Sequence, residues 1–317
     1  MSILKVNISK QKVESYCTPT SPRTYFFAYS TDIDPKNFET IFYYVNYYEP
    51  SFRFAFYANI RIDMKQPDSI EYHSDFSSFN NSLLSHWPNP SLGYSNSNTG
   101  SDVLKVIERF LDNTQVPVCG SVIHIVSKRY PNELDIDNLI ARIRQSHSTV
   151  NVLIPTNPSG GRYLQTMYNL ATKTNGLGCF ADDEYYHLAE DVMNYLEEYP
   201  YITYSTNVNV SGHGSVTLPP MSASPSDSFI FMTVQDSGIV STFQKMSLTF
   251  HGSTDTFTLH GNDGLVTYNN FIFNRHTFTD TNYSVTLDYQ YSDSKQQTLQ
   301  IRTFIYNSIN YWYPYAD

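Results

Sequence analysis

One stretch constrains this chain more than any other: YFFAYSTDIDPKNF, residues 25–38. An apolar strand that runs into a polar loop and then a helix start is how open α/β sheets present ligand sites beyond their strand ends. The segments that follow alternate. A helix is expected over 37–48, a β-rich run over 52–63 and a helix over 101–112 with Val103, Leu104, Ile107 and Leu111 at amphipathic spacing. A strand at 121–126, a helix at 135–146, a strand at 150–154, a helix at 163–173, a short strand at Cys179-Phe180 and a helix over 184–198 complete the series. Alternation of this kind predicts a doubly wound, Rossmann-like α/β domain with a mainly parallel sheet, here over residues 1–199 with 1–20 as an N-terminal extension.

From about Tyr199 the helical pattern stops and short strand candidates take over, at 202–210, 228–234, 246–251, 257–260, 270–277, 284–291 and 298–306. Gly212-His213-Gly214, Pro219-Pro220, Gly261-Asn262-Asp263-Gly264 and Ser292-Asp293-Ser294 read as the turns between them. The expectation is an all-β, antiparallel β-sandwich over 200–317. Asp280-Thr281-Asn282-Tyr283-Ser284-Val285 reads as a tyrosine corner turning on Tyr283, so the sandwich is Ig-like by architecture.

Composition removes whole classes of partner. Charged residues are 16% of the chain and the net charge is -10, which leaves no electrostatic footprint for nucleic acid and disfavours an anionic membrane surface. No apolar run is long enough for membrane insertion as a helix. The 27 tyrosines belong by default to core and strand surfaces, with Tyr311, Trp312, Tyr313 and Tyr315 the candidate for an exposed ligand platform.

The loop after the first strand resembles the metal-ion-dependent adhesion site of von Willebrand factor A (vWA) domains. In that family the loop reads Asp-x-Ser-x-Ser, often followed by Ile-Gly-Pro-x-Asn-Phe, and holds a divalent cation. Here Ser30, Ile33, Pro35, Asn37 and Phe38 keep their spacing, while Ala28 stands where the first carboxylate belongs. The family's threonine segment is matched by Ser97-Asn98-Thr99-Gly100, and its aspartate after the fourth strand is missing from Ile125-Val126-Ser127-Lys128-Arg129. Hard cations want carboxylate oxygens, so the resemblance implies a degenerate site with no metal and no cofactor. The alternatives are that Asp32, or Asp34, restores one carboxylate in a shifted site, or that the loop simply caps a helix. Together with Asn175-Gly176-Leu177-Gly178 and the sandwich, the chain resembles the nematode-expanded vWA-like proteins often found beside lectin-type or CUB-like modules.

The resemblance implies a secreted or cell-surface protein that contacts other macromolecules. The expected function is non-enzymatic protein–protein interaction or adhesion, with an unidentified protein or glycan as ligand. Its contact rim would be Ser30, Asp32, Ser97, Thr99 and Ser127, and Asp32→Ala would weaken binding at little cost in stability. Carbohydrate binding by aromatic residues of the sandwich is the alternative, and a structural spacer in an extracellular array is the third reading. In a vWA-like sheet the first and fourth strands are neighbours, so Cys17 and Cys119 are a possible disulfide pair; three buried thiols are the other outcome, with Cys179 unpaired in either case.

Residues 1–12 carry no secretory apolar stretch, so the extracellular placement expects a leader or a preceding module outside this chain, with 4–9 alternating like a strand. Asn7, Asn80, Asn209 and Asn282 begin Asn-x-Ser frames that a secretory pathway could glycosylate. A cytoplasmic protein is the competing expectation. No catalytic constellation stands out. Gly93-Tyr94-Ser95-Asn96-Ser97 lacks the final glycine of a nucleophile elbow, Ser159-Gly160-Gly161 lacks a phosphate loop's lysine, and His73 beside Asp75 has no nucleophile to serve. His213-Gly214-Ser215 and His251-Gly252-Ser253 read as hairpin turns.

Overall fold

The structure, a computed structural model, describes residues 17–47, 53–186, 189–190, 192–193, 199–223, 225–238, 242–262 and 270–317. The strand expected at 4–9 and Asn7 lie outside the described residues, as do 187, 188, 191 and 194–198 of the last expected helix.

The first half is built from β1 (Thr24–Ser30), α1 (Pro35–Tyr47), β2 (Phe56–Ile62), β3 (Glu71–His73), α2 (Phe76–Ser85), α3 (Val103–Leu111), β4 (Val122–Val126), α4 (Asp137–Gln145), β5 (Thr149–Pro155), α5 (Leu164–Thr172) and β6 (Gly178–Ala181). The sheet order is β3-β2-β1-β4-β5-β6. Every pairing is parallel except β2 with β3. Strand β1 shows why the sequence demands two covering layers. Tyr25, Phe27 and Tyr29 enter one core with Phe38 and Ile41 of α1 and Phe79 of α2. Phe26 and Ala28 enter the other with Val106, Ile107 and Phe110 of α3, Ile140 of α4 and Met167 of α5. A strand buried on both faces has no need to alternate.

The sequence reading missed β3 and α2. Strand β3 is three half-buried residues on the sheet edge. Helix α2, FSSFNNSLLS, carries few apolar residues, and its clearest signal is its cap: Asp75 accepts from Ser78 N at 2.8 Å and from the Ser78 hydroxyl at 2.9 Å. His73 therefore does not bond to Asp75; it meets Asn59 Oδ1 at 2.8 Å.

The second half holds β7 (Tyr201–Val210), β8 (His213–Ser222), β9 (Ser226–Thr233), β10 (Phe243–His251), β11 (Thr256–Asn262), β12 (Phe271–Phe278), β13 (Asn282–Tyr291) and β14 (Gln297–Ile305). They form two four-stranded sheets, β11-β10-β13-β8 and β12-β9-β14-β7, with antiparallel pairings. Their inner faces share a core that includes Ile230, Leu248, Leu287 and Ile301. The fold is thus a doubly wound α/β unit followed by an antiparallel sandwich. The tyrosine corner forms: the Tyr283 hydroxyl accepts from Asp280 N at 2.8 Å and Thr279 N at 3.1 Å, and donates to Asp255 at 2.7 Å.

Strand β8 corrects the turn reading of Pro219-Pro220 and of His213-Gly214-Ser215. The turn is at Gly212, whose φ of 64° suits glycine. His213 already pairs with Gln290 in β13. The two prolines sit on an edge strand where the β8–β13 register shifts between Tyr283 and Val285, a place where missing N–H donors break no ladder. Asn262 and Gly261, read as a turn, close β11, and Asp263-Gly264 lie outside the described residues.

The two halves share buried surface. Phe229, Phe231, Phe271 and Phe304 of the β12-β9-β14-β7 sheet join the core beneath α1 and α2. The open edge of β6 is closed by side-chain amides, with Gly178 N donating to Gln300 Oε1 at 2.9 Å and Phe180 N to Asn270 Oδ1 at 2.8 Å. An edge so covered offers no template for a foreign strand. Among the described residues, no helix is long and apolar enough to cross a membrane. Cys17 and Cys119 form a disulfide across a sequence separation of 102, and Cys179 is a buried free thiol.

Candidate functional site

In a sheet ordered 3-2-1-4-5-6 the strand order reverses between β1 and β4, and ligands of such sheets bind beyond the carboxyl ends of those strands. Here that crevice receives the loops after Ser30 and Val126, and its floor is a guanidinium. Arg129 is 1% exposed. Its Nε and Nη2 donate to Asp32 Oδ2 at 3.1 and 2.9 Å. Nη2 also donates to Tyr94 O at 3.0 Å, and Nη1 donates to Asn96 O at 3.0 Å and Thr99 O at 2.8 Å. A guanidinium has five N–H donors, and each has an acceptor. Ser159 adds a hydroxyl bond to Asp32 Oδ2 at 2.5 Å.

Two glycines make this packing possible. A Cβ at Gly93 would lie 1.9 Å from Asp32 Oδ1, and one at Gly160 would lie 2.0 Å from Arg129 Nη1. The Ser159-Gly160-Gly161 turn therefore works as a cover over the arginine, held by Tyr130 N donating to Gly160 O at 2.9 Å and Gly161 N donating to Ser97 O at 2.9 Å.

The five sequence-predicted rim residues divide into floor and rim. Ser30 is fully buried and donates to Asp63 Oδ2 at 2.6 Å. Ser127 is fully buried and donates to Arg129 O at 2.6 Å, shaping the exit from β4. Asp32, with an 8% exposed side chain, is the arginine's counter-charge. Ser97 is exposed and Thr99 half-buried, and both lie on the loop whose carbonyls grip Arg129. Asp34 caps α1, accepting from Lys36 N at 2.8 Å. Neighbouring Lys128 reaches Asp183 at 2.6 Å instead of entering the crevice.

This geometry revises the expectation for Asp32→Ala. Removing the carboxylate would leave a buried guanidinium without its counter-charge, a change that costs about 3–5 kcal/mol for buried pairs. The substitution would test stability before it tested binding.

Three participants were not assigned roles from sequence: Arg129, Ser159 and Asp63. The signal for the first was present, an arginine where the resemblance expected a metal-binding aspartate. The signal for Asp63 was an acid directly after the apolar run of β2. Asp63 adopts φ 67°, a conformation Asp tolerates better than most residues. Its Oδ1 has no hydrogen-bond partner. Burial raises its carboxyl to about 7, opposed by the Ser101 and Ser30 hydroxyls.

Fold and crevice together define a doubly wound, Rossmann-like α/β unit with a following antiparallel β-sandwich. A family model described as a domain of unknown function (DUF7154) matches residues 206–306, the greater part of the sandwich. No curated protein matches the sequence. Among solved structures, proximal thread matrix protein 1 from the mussel byssus is similar at 10% identity and TM-score 0.39, over 60% of this chain and 48% of that one. The chain thus spans about half the length of the mussel protein. The conserved hypothetical protein BatB from Bacteroides thetaiotaomicron is similar at 14% identity and TM-score 0.36, over 55% of this chain and 96% of that one. The C-terminal domain of A223, a structural protein from sulfolobus turreted icosahedral virus, matches 31% of this chain and 96% of its own at 17% identity and TM-score 0.18.

Proposed function

We propose that this chain is a non-enzymatic, extracellular interaction module that binds a protein partner through the loop surface at the carboxyl edge of its α/β sheet, without a bound metal. The observation that carries this reading is Arg129. A fixed positive charge, satisfied at all five donors, stands at the switch point. On this reading the degenerate adhesion loop keeps its shape because an internal cation replaces a soluble one. Non-enzymatic action is supported by the engagement of Ser30, Asp32, Ser127 and Arg129 with one another or with nearby framework groups, which leaves the surface of Ser97 and Thr99 for contact. Extracellular placement is supported by the Cys17–Cys119 disulfide, since such bonds persist in oxidising compartments. The resemblance to nematode-expanded secreted proteins points the same way.

Titration calorimetry with Mn²⁺ and Mg²⁺ tests the metal-free part: no heat is expected, and saturable heat at one site would refute it. A partner recovered from extracellular fractions should stay bound in EDTA. It should be released by the surface double variant Ser97→Arg/Thr99→Arg with an unchanged melting temperature. Retention by that variant would move the contact away from this face.

A further inference from the structure

The amino edge of the same sheet, opposite the Arg129 crevice, carries two arginines that differ from Arg129 in one respect. Arg23 precedes β1 and Arg53 precedes β2, and neither forms an ion pair with a described carboxylate, whereas Arg61, Arg129, Arg142 and Arg144 all do. The chain holds 30 acidic residues against 20 basic ones, so shortage of acid is not the reason.

Arg23 is 5% exposed. Among the described residues its side-chain hydrogen bond is a long one, Nη1 to Pro200 O at 3.4 Å. Otherwise its guanidinium meets ring faces, 4.9 Å from the Tyr201 centroid and 5.7 Å from that of Phe54. Its stem lies against Gly120, where an added Cβ would sit 3.1 Å from Arg23 Cδ. Arg53 is half-buried with its guanidinium 3.8 Å from the Tyr306 centroid. Burial lowers the Arg23 pKa, Tyr201 opposes that shift, and the positive charge of Arg53 adds a smaller lowering. Two cations lining one cleft, one buried and one half-buried, with no described carboxylate paired to either, are matched by an oxyanion.

The space in front of them fits a ligand. A cleft of about 310 Å³ is lined by Arg23 and Arg53 together with Thr20, Ser21, Phe54 and Tyr201. It shares Pro19, Arg23 and Tyr201 with a second, more enclosed cleft of about 50 Å³ walled by Tyr311, Trp312 and Tyr313 with Asn175, so a ring has room in the larger cleft and reaches the aromatic wall at their shared border. Trp312 is held in place by His147, stacked at 4.8 Å, and by its Nε1 donating to Cys17 O at 3.1 Å. Tyr311 is 49% exposed. Anion donors beside hydroxyls, followed by aromatic walls, suit a ring-shaped ligand bearing hydroxyls and an acidic substituent better than an extended peptide.

We propose that Arg23 and Arg53 form an oxyanion site for an acidic saccharide, whose sulfate or carboxylate lies between the two guanidiniums and whose ring packs toward Tyr201 and Tyr311. This site is independent of the loop-face reading, because it lies at the other end of the strands.

The test uses the full chain and four probes by calorimetry at low salt: dextran sulfate, a carboxylated dextran, neutral dextran and polyglutamate. Either acidic dextran should bind, with affinity falling as salt rises, and the stronger of the two identifies the acidic group. Neutral dextran should not bind, and polyglutamate should bind at least about tenfold more weakly. Arg53→Gln should weaken the acidic dextran at least about tenfold, and Tyr311→Ala about threefold, each without a change in melting temperature. Ser97→Arg/Thr99→Arg should not weaken it. Failure of both acidic dextrans to bind, equal affinity in Arg53→Gln, or polyglutamate binding as tightly would each overturn the proposal. None of those results bears on the loop face.

Discussion

The molecule buries two arginines in opposite ways. Arg129 sits in a site assembled from four chain segments, those of Asp32, of 94–99, of Arg129 itself and of Ser159, and has a carboxylate, Asp32, against it. Arg302 is fully buried at the joint between the α/β unit and the sandwich, with no ion-pair partner among the described residues. It donates to Thr206 O, Ile301 O, Thr172 O at the end of α5 and Asn207 Oδ1, while its Nε is unpaired. Burial brings its pKa down to about 9. Carbonyl oxygens at a helix C-terminus carry the partial negative charge that suits a cation, so the joint is held by dipoles and the crevice by a counter-ion. The lesson is that a charge with a buried partner cannot be removed alone, whereas a charge held by carbonyls can be replaced at lower cost.

That contrast sets the expected order of effects. Arg129→Met should destabilise the chain by about 3–5 kcal/mol in urea unfolding, because Asp32 is left buried and unpaired. Adding Asp32→Asn should recover more than half of the loss. If the double variant were no better than the single, the ion pair would not be the source of the effect. Arg302→Met should cost less, about 1–2 kcal/mol, since lost hydrogen bonds are offset by relief of a buried charge. A larger loss than for Arg129→Met would reverse the comparison.

Asp63 gives the most specific effect, one that shows only as a slope against pH. Its folded carboxyl keeps the proton up to about pH 7, while the unfolded group releases it near 3.8. The stability this group contributes is therefore complete below about pH 4 and is lost as pH rises through 7, by up to about 1.4 kcal/mol per pH unit within that window. Asp63→Asn should lack this slope. Parallel slopes for the two proteins between pH 4 and 7 would show that Asp63 titrates normally.

Legibility followed the physical source of each element. Strands with unbroken apolar runs and helices with one apolar face were readable because burial leaves a local pattern. β8 was not, since its prolines signal a turn unless the edge position and the bulge are known. Helix α2 was hidden by its polar composition. For the crevice, the loops were located from sequence, yet its chemistry was not, because three of the four acceptor atoms around Arg129 are backbone carbonyls, from Tyr94, Asn96 and Thr99, and carbonyls have no sequence signature. The Cys17–Cys119 pairing followed from the neighbouring positions of β1 and β4, a consequence of topology.

The segment after β14 folds back over the amino edge of the α/β unit: Asn175 Nδ2 donates to Pro314 O at 2.9 Å, the Tyr315 hydroxyl to Ser148 O at 3.0 Å, and Trp312 to Cys17 O across a separation of 295 residues. During synthesis at about 5–20 residues per second, the last strand of that unit, β6, leaves the ribosome about 7–26 seconds before the segment that straps it. The nascent α/β layer must wait through that interval with the seat of Trp312 open and the Cys17–Cys119 bond without its cover, which makes a holding chaperone or a thiol oxidase most useful to this chain before its sandwich is made.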